Sequence, residues 1–276
     1  MIILFSCDLS RFEAEVPNYL TLAEAALITG DGEGANSHRI TEGWVYADSQ
    51  LIGAYHLPAT LPVLGENKIS LDIFAGIREN GIADAPRIYP FYSIFKYEWD
   101  TGLMPELTVE PVFHYLPTVD FVFIDDFEMH TLFIADIDGD PLTSMTRVWD
   151  PEIGSMVGKA ALSQSSPELD VATAFIYEQF PRDGRPVFVE LEYKSDVPLF
   201  VGLRTVNPGV ESVSKFKLAL FPNEMWEKIY VNFTPELRNA DFSGFQVELF
   251  ARYQQEAGPE IQNLYIDNLK LVHQQQ

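Results

Sequence analysis

Three stretches in the second half of the chain alternate apolar and polar residues with a period of two. Val189, Leu191 and Tyr193 share one face of the segment 187–193, and Leu199, Val201 and Leu203 share one face of 199–204. Phe245-Gln246-Val247-Glu248-Leu249-Phe250 repeats the arrangement. Successive side chains of a strand point to opposite sides, so each stretch reads as a strand with one face in a core. The chain shows no alternation of strand and helix, so neither a parallel sheet nor a β/α barrel is supported. The expected class is all-β, with two β-sandwich domains.

Length and composition agree with that class. A chain of 276 residues, 47% of them apolar, has room for two domains that each bury a core. Twenty Phe and twelve Tyr, punctuated by 17 Gly and 18 Pro, favour short strands and many turns. The formal net charge of −23 repels nucleic acid and anionic lipid headgroups, which leaves calcium and neutral partners such as glycans as chemistry that suits the surface. The single cysteine, Cys7, allows no internal disulfide. The five histidines form no HxH or HExxH pattern, so a zinc enzyme is not expected.

Within residues 19–118, Gly43 to Ala47 and Leu51 to Tyr55 read as a hairpin around a turn at Asp48-Ser49-Gln50. Asn67 to Ile73 alternates as a half-buried strand, 107–109 and 112–115 complete the set, and 19–29 reads as an edge strand. Within 119–276, Val119 to Phe127 is a strand, and Thr234-Pro235-Glu236-Leu237 reads as one helical turn with Thr234 as its N-cap. Along Ile261 to Val272 the apolar parity changes: Leu264 and Ile266 share one face, Leu269 and Leu271 the other. A bulge near Asp267-Asn268 accounts for the shift. Each half has its own alternating strands, so each is expected to fold alone.

Several segments resemble known families. Leu4-Phe5-Ser6-Cys7, after the apolar start Met1-Ile2-Ile3, resembles a bacterial lipobox, with Phe5 departing from the strict pattern. The resemblance implies that residues 1–18 are a truncated lipoprotein signal and an acidic tether, with Cys7 lipidated. The protein would then be exported and held at the outer membrane or cell surface of a Gram-negative bacterium, touching the membrane only through its lipid. The run Trp44 to Ile73 is similar to the immunoglobulin-like or carboxypeptidase-regulatory-like sandwiches of bacterial surface proteins. Asp125-Asp126-Phe127-Glu128, Tyr193-Lys194-Ser195-Asp196, Trp226 to Tyr230 and the closing Leu264-Tyr265-Ile266-Asp267-Asn268-Leu269 look like a galactose-binding-like jelly roll, a group that includes non-catalytic carbohydrate-binding modules. In that group a structural calcium joins an acidic residue after the first strand to an Asp in the last. Glu128 and Asp267 match those positions, with backbone carbonyls completing a shell of six to eight oxygens.

Sugar-binding faces need flat aromatics for stacking and polar groups for hydroxyls. The outward faces of the alternating strands carry Phe188, Phe200 and Phe250 beside Glu190, Glu192, Arg204, Gln246 and Glu248. Trp149, in a loop-like segment, is the expected exposed tryptophan, whereas Trp226 reads as core. The candidate ligand-binding residues are Trp149, Arg204, Gln246 and Glu248. No GxSxG elbow, phosphate loop or dinucleotide glycine pattern occurs, and Asp136-x-Asp138-Gly139-Asp140 lacks the glycine position of an EF-hand loop. The expected function is therefore a non-catalytic surface lipoprotein whose second domain binds a glycan or glycoprotein. The alternative is a structural or adhesive module that binds a cell-surface protein and no sugar.

Overall fold

The computed structural model describes residues 17–65, 67–82, 86–256 and 258–275. Cys7 and the tether before residue 17 lie outside the described residues. The first part of the chain contains β1 (Asn18–Leu22), β2 (Ala26–Leu27), β3 (Ile40–Ala47), β4 (Gln50–His56), β5 (Ala59–Val63), β6 (Lys68–Ile77), β7 (Arg87–Ile88), β8 (Phe95–Asp100), β9 (Glu106–Val109) and β10 (Val112–Phe113). One sheet has the order β4-β3-β6-β7, with β8 also on β6. A second has the order β5-β1-β9, and β2 and β10 pair separately. The turn between β3 and β4 is tight, with Asp48 and Ser49 both at positive φ, the conformation that matches the twist of a two-residue hairpin. The expected edge strand is instead split. β1 lies in the middle of its sheet, parallel to β9, and only β2 is peripheral. On β6, Ile69, Leu71 and Ile73 are buried and alternate with half-buried polar residues, as the period of two requires.

The second part contains β11 (Val119–Asp125), β12 (Phe133–Asp136), β13 (Thr146–Asp150), β14 (Ser155–Leu162), β15 (Glu168–Thr173), β16 (Val187–Ser195), β17 (Leu199–Asn207), β18 (Val210–Leu220), β19 (Asn223–Asn232), α1 (Thr234–Leu237), β20 (Gly244–Arg252) and β21 (Gln262–Gln274). Six strands form one sheet, β13-β14-β21-β16-β19 with β11 also on β21, and five form the other, β12-β15-β20-β17-β18. The eight strands from β14 onward thus lie in the orders 14-21-16-19 and 15-20-17-18, and nearly every connection crosses between sheets. That is the strand order of a jelly roll. Val189, Leu191, Leu199, Val201, Val247 and Leu249 are fully buried between the two layers, each contributing roughly 1.5–3 kcal/mol of burial.

The parity change in β21 is a bulge. Glu190 pairs with Lys270 but Glu192 pairs with Asp267, so β21 carries one extra residue there, and Asn268 has φ +45. The extra residue returns Leu269 and Leu271 to the same core as Leu264 and Ile266. The helical turn begins one residue earlier than expected. Phe233 is its N-cap, without a side-chain bond, because the Thr234 hydroxyl accepts the Val187 N–H at 3.0 Å instead.

The sheets of 18–113 and of 119–274 share no strand, yet the two parts are closely packed. Val119, Phe188, Tyr230 and Val272 join the first core, and all four come from strands of the six-stranded sheet. Among them lies Glu190, fully buried, which accepts from the hydroxyls of Tyr89 and Tyr115 at 2.5 and 2.8 Å. Lys228 Nζ stands 3.2 Å from Glu190 but outside hydrogen-bonding geometry, and buried Lys270 donates to the Glu33 carbonyl across the seam. The first part therefore covers much of the outer face of the six-stranded sheet.

Candidate functional site

On the outer face of the five-stranded sheet, strand register sets side chains in three rows. Asp170 pairs with Phe250, Phe250 with Phe200, and Phe200 with Ala219. One step along the strands, Ala172, Glu248, Gly202 and Phe216 lie abreast, and the next row holds Gln246, Arg204 and Ser214. The three phenylalanines form a cluster with ring centroids 5.6–6.1 Å apart, and Phe216 is 41% exposed. Phe216 can lie across the sheet only because position 202 is glycine. A Cβ there would come within 2.8 Å of its ring and 2.7 Å of the Lys215 carbonyl.

Beneath this layer sits a polar group. Glu248 is fully buried, accepts from the Ser214 hydroxyl at 2.7 Å, and stands 4.0 Å from Arg204 Nη1. Glu248 Oε2 and Asp170 Oδ1 are buried without a hydrogen-bond partner. Burial first, and then the neighbouring Glu248 and Asp138, push the Asp170 carboxyl up to about 7, against the pull of Arg204. The result is a half-buried guanidinium held at the surface by carboxylates below it, beside an aromatic patch.

The structure thus brings Arg204, Gln246 and Glu248 together on one face. Glu248 is buried beneath Arg204 and Ser214, which contact its Oε1, and the Gln246 amide donates to the Thr173 carbonyl. Trp149 is separate. It is 61% exposed, but it lies on β13, at the edge of the other sheet, in a strand rather than a loop. Trp226 is half-buried on β19, edge-on to Tyr265 at 6.4 Å, rather than in the core. Phe216 and Asp170 were not legible as site residues. The alternation of 210–220 is broken by a register shift where Val201 gives way to Gly202, which hides β18 and with it Phe216. Asp170 carries a signal only in the short alternation of 168–171.

Glu128 and Asp267 also come together. With Asp126 and Glu192 they line a cavity of about 410 Å³ closed on one side by Gly34 to Ser37. Asp267 is 4% exposed. Burial, followed by Glu192, Asp126 and Glu128, pushes its carboxyl up to about 7, although the Asn268 N–H bonds to it. No group of three or more His, Cys, Asp or Glu among the described residues is arranged to hold a metal ion, so a cation here would need carbonyl oxygens for most of its shell. In the turn 136–140 the aspartates are spent on backbone: Asp136 accepts from Gly139 N, Asp138 from Asp140 N and Asp170 N, and Asp140 from Leu142 N.

No family model matches the chain, and no curated protein matches it. Among solved structures, it is similar to the CBM22-1 xylan-binding domain of Paenibacillus barcinonensis Xyn10C, at 8% identity and TM-score 0.38, over 58% of this chain and 99% of that one. It is similar to the C-terminal family 22 carbohydrate-binding module of Clostridium thermocellum Xyn10B, at 15% identity and TM-score 0.37, over 56% and 94%. The tailspike protein 4 of bacteriophage CBA120 matches at 9% identity and TM-score 0.34, over 46% of this chain and only 17% of that one. These superpositions are partial, and the jelly-roll assignment rests on strand order and register.

Proposed function

We propose that the protein is a non-catalytic glycan-binding protein whose binding surface is the outer face of the five-stranded sheet. The observation that supports this most is the juxtaposition of the Phe200–Phe216–Phe250 cluster with Arg204, whose position is set from below by Glu248. An exposed aromatic patch stacks on the C–H face of a sugar ring, and an adjacent guanidinium donates to its hydroxyls. Glu248 is fully buried, too deep to reach a glycosidic bond at the surface, and the half-buried Asp170 has no second accessible carboxylate beside it in the three rows of this face. That favours binding over hydrolysis. A glycan array probed with the full chain tests the reading. Binding to a defined set of neutral glycans, lost in Phe216→Ala, is expected; no glycan bound on a broad array overturns it.

Three further parts of the proposal have their own tests. Lipid anchoring through Cys7 predicts that protein expressed behind a complete signal partitions into membranes and that Cys7→Ser releases it. Division into domains 19–118 and 119–276 predicts a cooperative melt for the fragment 119–276. That melt should fall below that of the full chain, because Phe188, Tyr230 and Val272 lose their cover. Calcium in the Glu128–Asp267 cavity is supported by the four carboxylates of Asp126, Glu128, Glu192 and Asp267 around one space, where a bound cation would offset their mutual repulsion.

A further inference from the structure

Nine arginines lie among the described residues. Five are ion-paired, to Glu227, Glu42, Asp183, Glu248 and Glu168. Arg147 and Arg182 donate to backbone carbonyls. Only Arg87 and Arg238 have neither an ion pair nor a side-chain hydrogen bond among the described residues, and both line the same cavity, of about 630 Å³. Among the described residues, the only carboxylate that lines it is Glu79, whose Oε1 is already engaged by the Asn232 amide at 3.0 Å. In a chain of net charge −23, this is a local excess of unpaired positive charge in a concave site.

The walls are fixed before any ligand arrives. The cavity lies where the end of β6 meets β19: the Asn80 N–H donates to the Tyr230 carbonyl at 2.8 Å, and the Asn232 N–H to the Asn80 side chain at 2.9 Å. Phe188 in its wall is 3% exposed and held edge-on by Tyr89 and Phe91 at 5.3 and 5.7 Å. Pro90, Pro186 and Pro235 add rigid apolar surface, and Asn239 and Thr234 add amide and hydroxyl groups. The volume lies in the range of about 300–1,000 Å³ usual for small-molecule sites.

We infer that this cavity binds a carboxylate-bearing sugar, such as a uronic or sialic acid unit. A guanidinium is a planar fork that matches a carboxylate bidentately. Apolar walls suit the C–H face of a ring, and amide and hydroxyl groups suit its hydroxyls. A bare inorganic anion would use the arginines but not the proline and phenylalanine walls. The site is distinct from the five-stranded face and does not depend on the reading of that face.

The test is calorimetric titration of the full chain with digalacturonate, diglucuronate and sialyllactose, alongside methyl-esterified digalacturonate and inorganic phosphate. At least one acidic sugar is expected to bind, with the ester and phosphate at least tenfold weaker. Arg87→Gln and Arg238→Gln should each weaken the acidic sugar by about ten- to hundredfold. Both side chains are exposed, so the melting temperature should stay near wild type. Phe216→Ala, on the other face, should leave this binding unchanged, which separates failure here from failure of the sheet-face reading. Absence of binding by all three acidic sugars at millimolar concentration would overturn the inference. So would equal binding of ester or phosphate, or arginine variants that bind as wild type does.

Discussion

Replacing Glu190 by glutamine keeps its shape and removes its charge, and the cost can be worked from its surroundings. Burial alone would raise the Glu190 carboxyl; Lys228 and Lys270, helped by the Tyr89 and Tyr115 hydroxyls, outweigh burial and hold it below the usual carboxylate range. Glu190 and Lys270 are fully buried and Lys228 is 5% exposed, so the charges cannot turn to water. In Glu190→Gln two lysines lose the carboxylate between them. Breaking a buried pair by removing one partner costs about 3–5 kcal/mol. At roughly 2–4 °C per kcal/mol for a chain of this size, the melting temperature should fall by about 6 °C or more. Lys270, whose ammonium burial and Lys228 already push down to about 8, should titrate lower still, because Glu190 is one of the groups that support its charge. Scanning calorimetry at pH 7 reads the first effect. The pH dependence of the melt between about 7 and 10 reads the second. A folded pKa below the unfolded one means that the unfolded chain binds more protons in that window, so stability rises with pH there. A Glu190→Gln melt within about 1 °C of wild type would mean that the three charges are solvated rather than locked in the seam.

The carboxyls of Asp170 and Asp267 are both raised from 3.8 to about 7. The folded state therefore binds more protons between those values, and stability should fall as pH rises from about 4 to 7. Asp267→Asn should flatten part of this slope and stabilise the protein at pH 8 by about 2–4 kcal/mol, less than the full shift to allow for solvent screening; a wild-type melt independent of pH over that range would contradict it. Gly202→Ala places a Cβ 2.7 Å from the Lys215 carbonyl, and should cost about 1–3 kcal/mol by overpacking and displace Phe216, seen as a lower melt together with lost glycan binding. Millimolar calcium at pH 8 should raise the wild-type melt by several degrees, since a ligand at a hundredfold excess over Kd adds about 2.7 kcal/mol. The rise should vanish in Asp267→Asn, and a melt unmoved by calcium and by EDTA would remove the metal from the account.

Features that depend on a single strand's own alternation could be read directly. Leu199, Val201 and Leu203 face inward as their spacing requires, and the parity break at Asp267-Asn268 is the bulge that it implied. Features that depend on a neighbouring strand could not. Phe216 joins Phe200 and Phe250 only through a register shift opposite Gly202, and nothing in 210–220 alone announces it. Glu190 and Glu192 look, by alternation, like solvent-facing residues of an open sheet. The first part of the chain covers Glu190 with Tyr89 and Tyr115, and the Ser37 hydroxyl bonds to Glu192. Alternation tells which residues leave the core of their own sandwich; it carries no information about a second layer laid over the outside. Trp149 shows the converse: its exposure was legible, but its sheet was not.

The claim that the five-stranded face is the glycan surface is tested most directly by titrating the full chain with the tightest-binding neutral glycan from the array, as wild type, Phe216→Ala and Arg204→Gln. Phe216 is 41% exposed, so Phe216→Ala should stay near the wild-type melt; Arg204→Gln leaves the buried Glu248 without its cation and should melt lower, so both titrations are run well below that melt. Each should bind about tenfold or more weakly, given that a charge-assisted hydrogen bond contributes about 1.5–3 kcal/mol and ring stacking about 0.5–1.5 kcal/mol beyond the area it buries. Wild-type affinity in both variants would place the glycan elsewhere on the molecule and contradict the account.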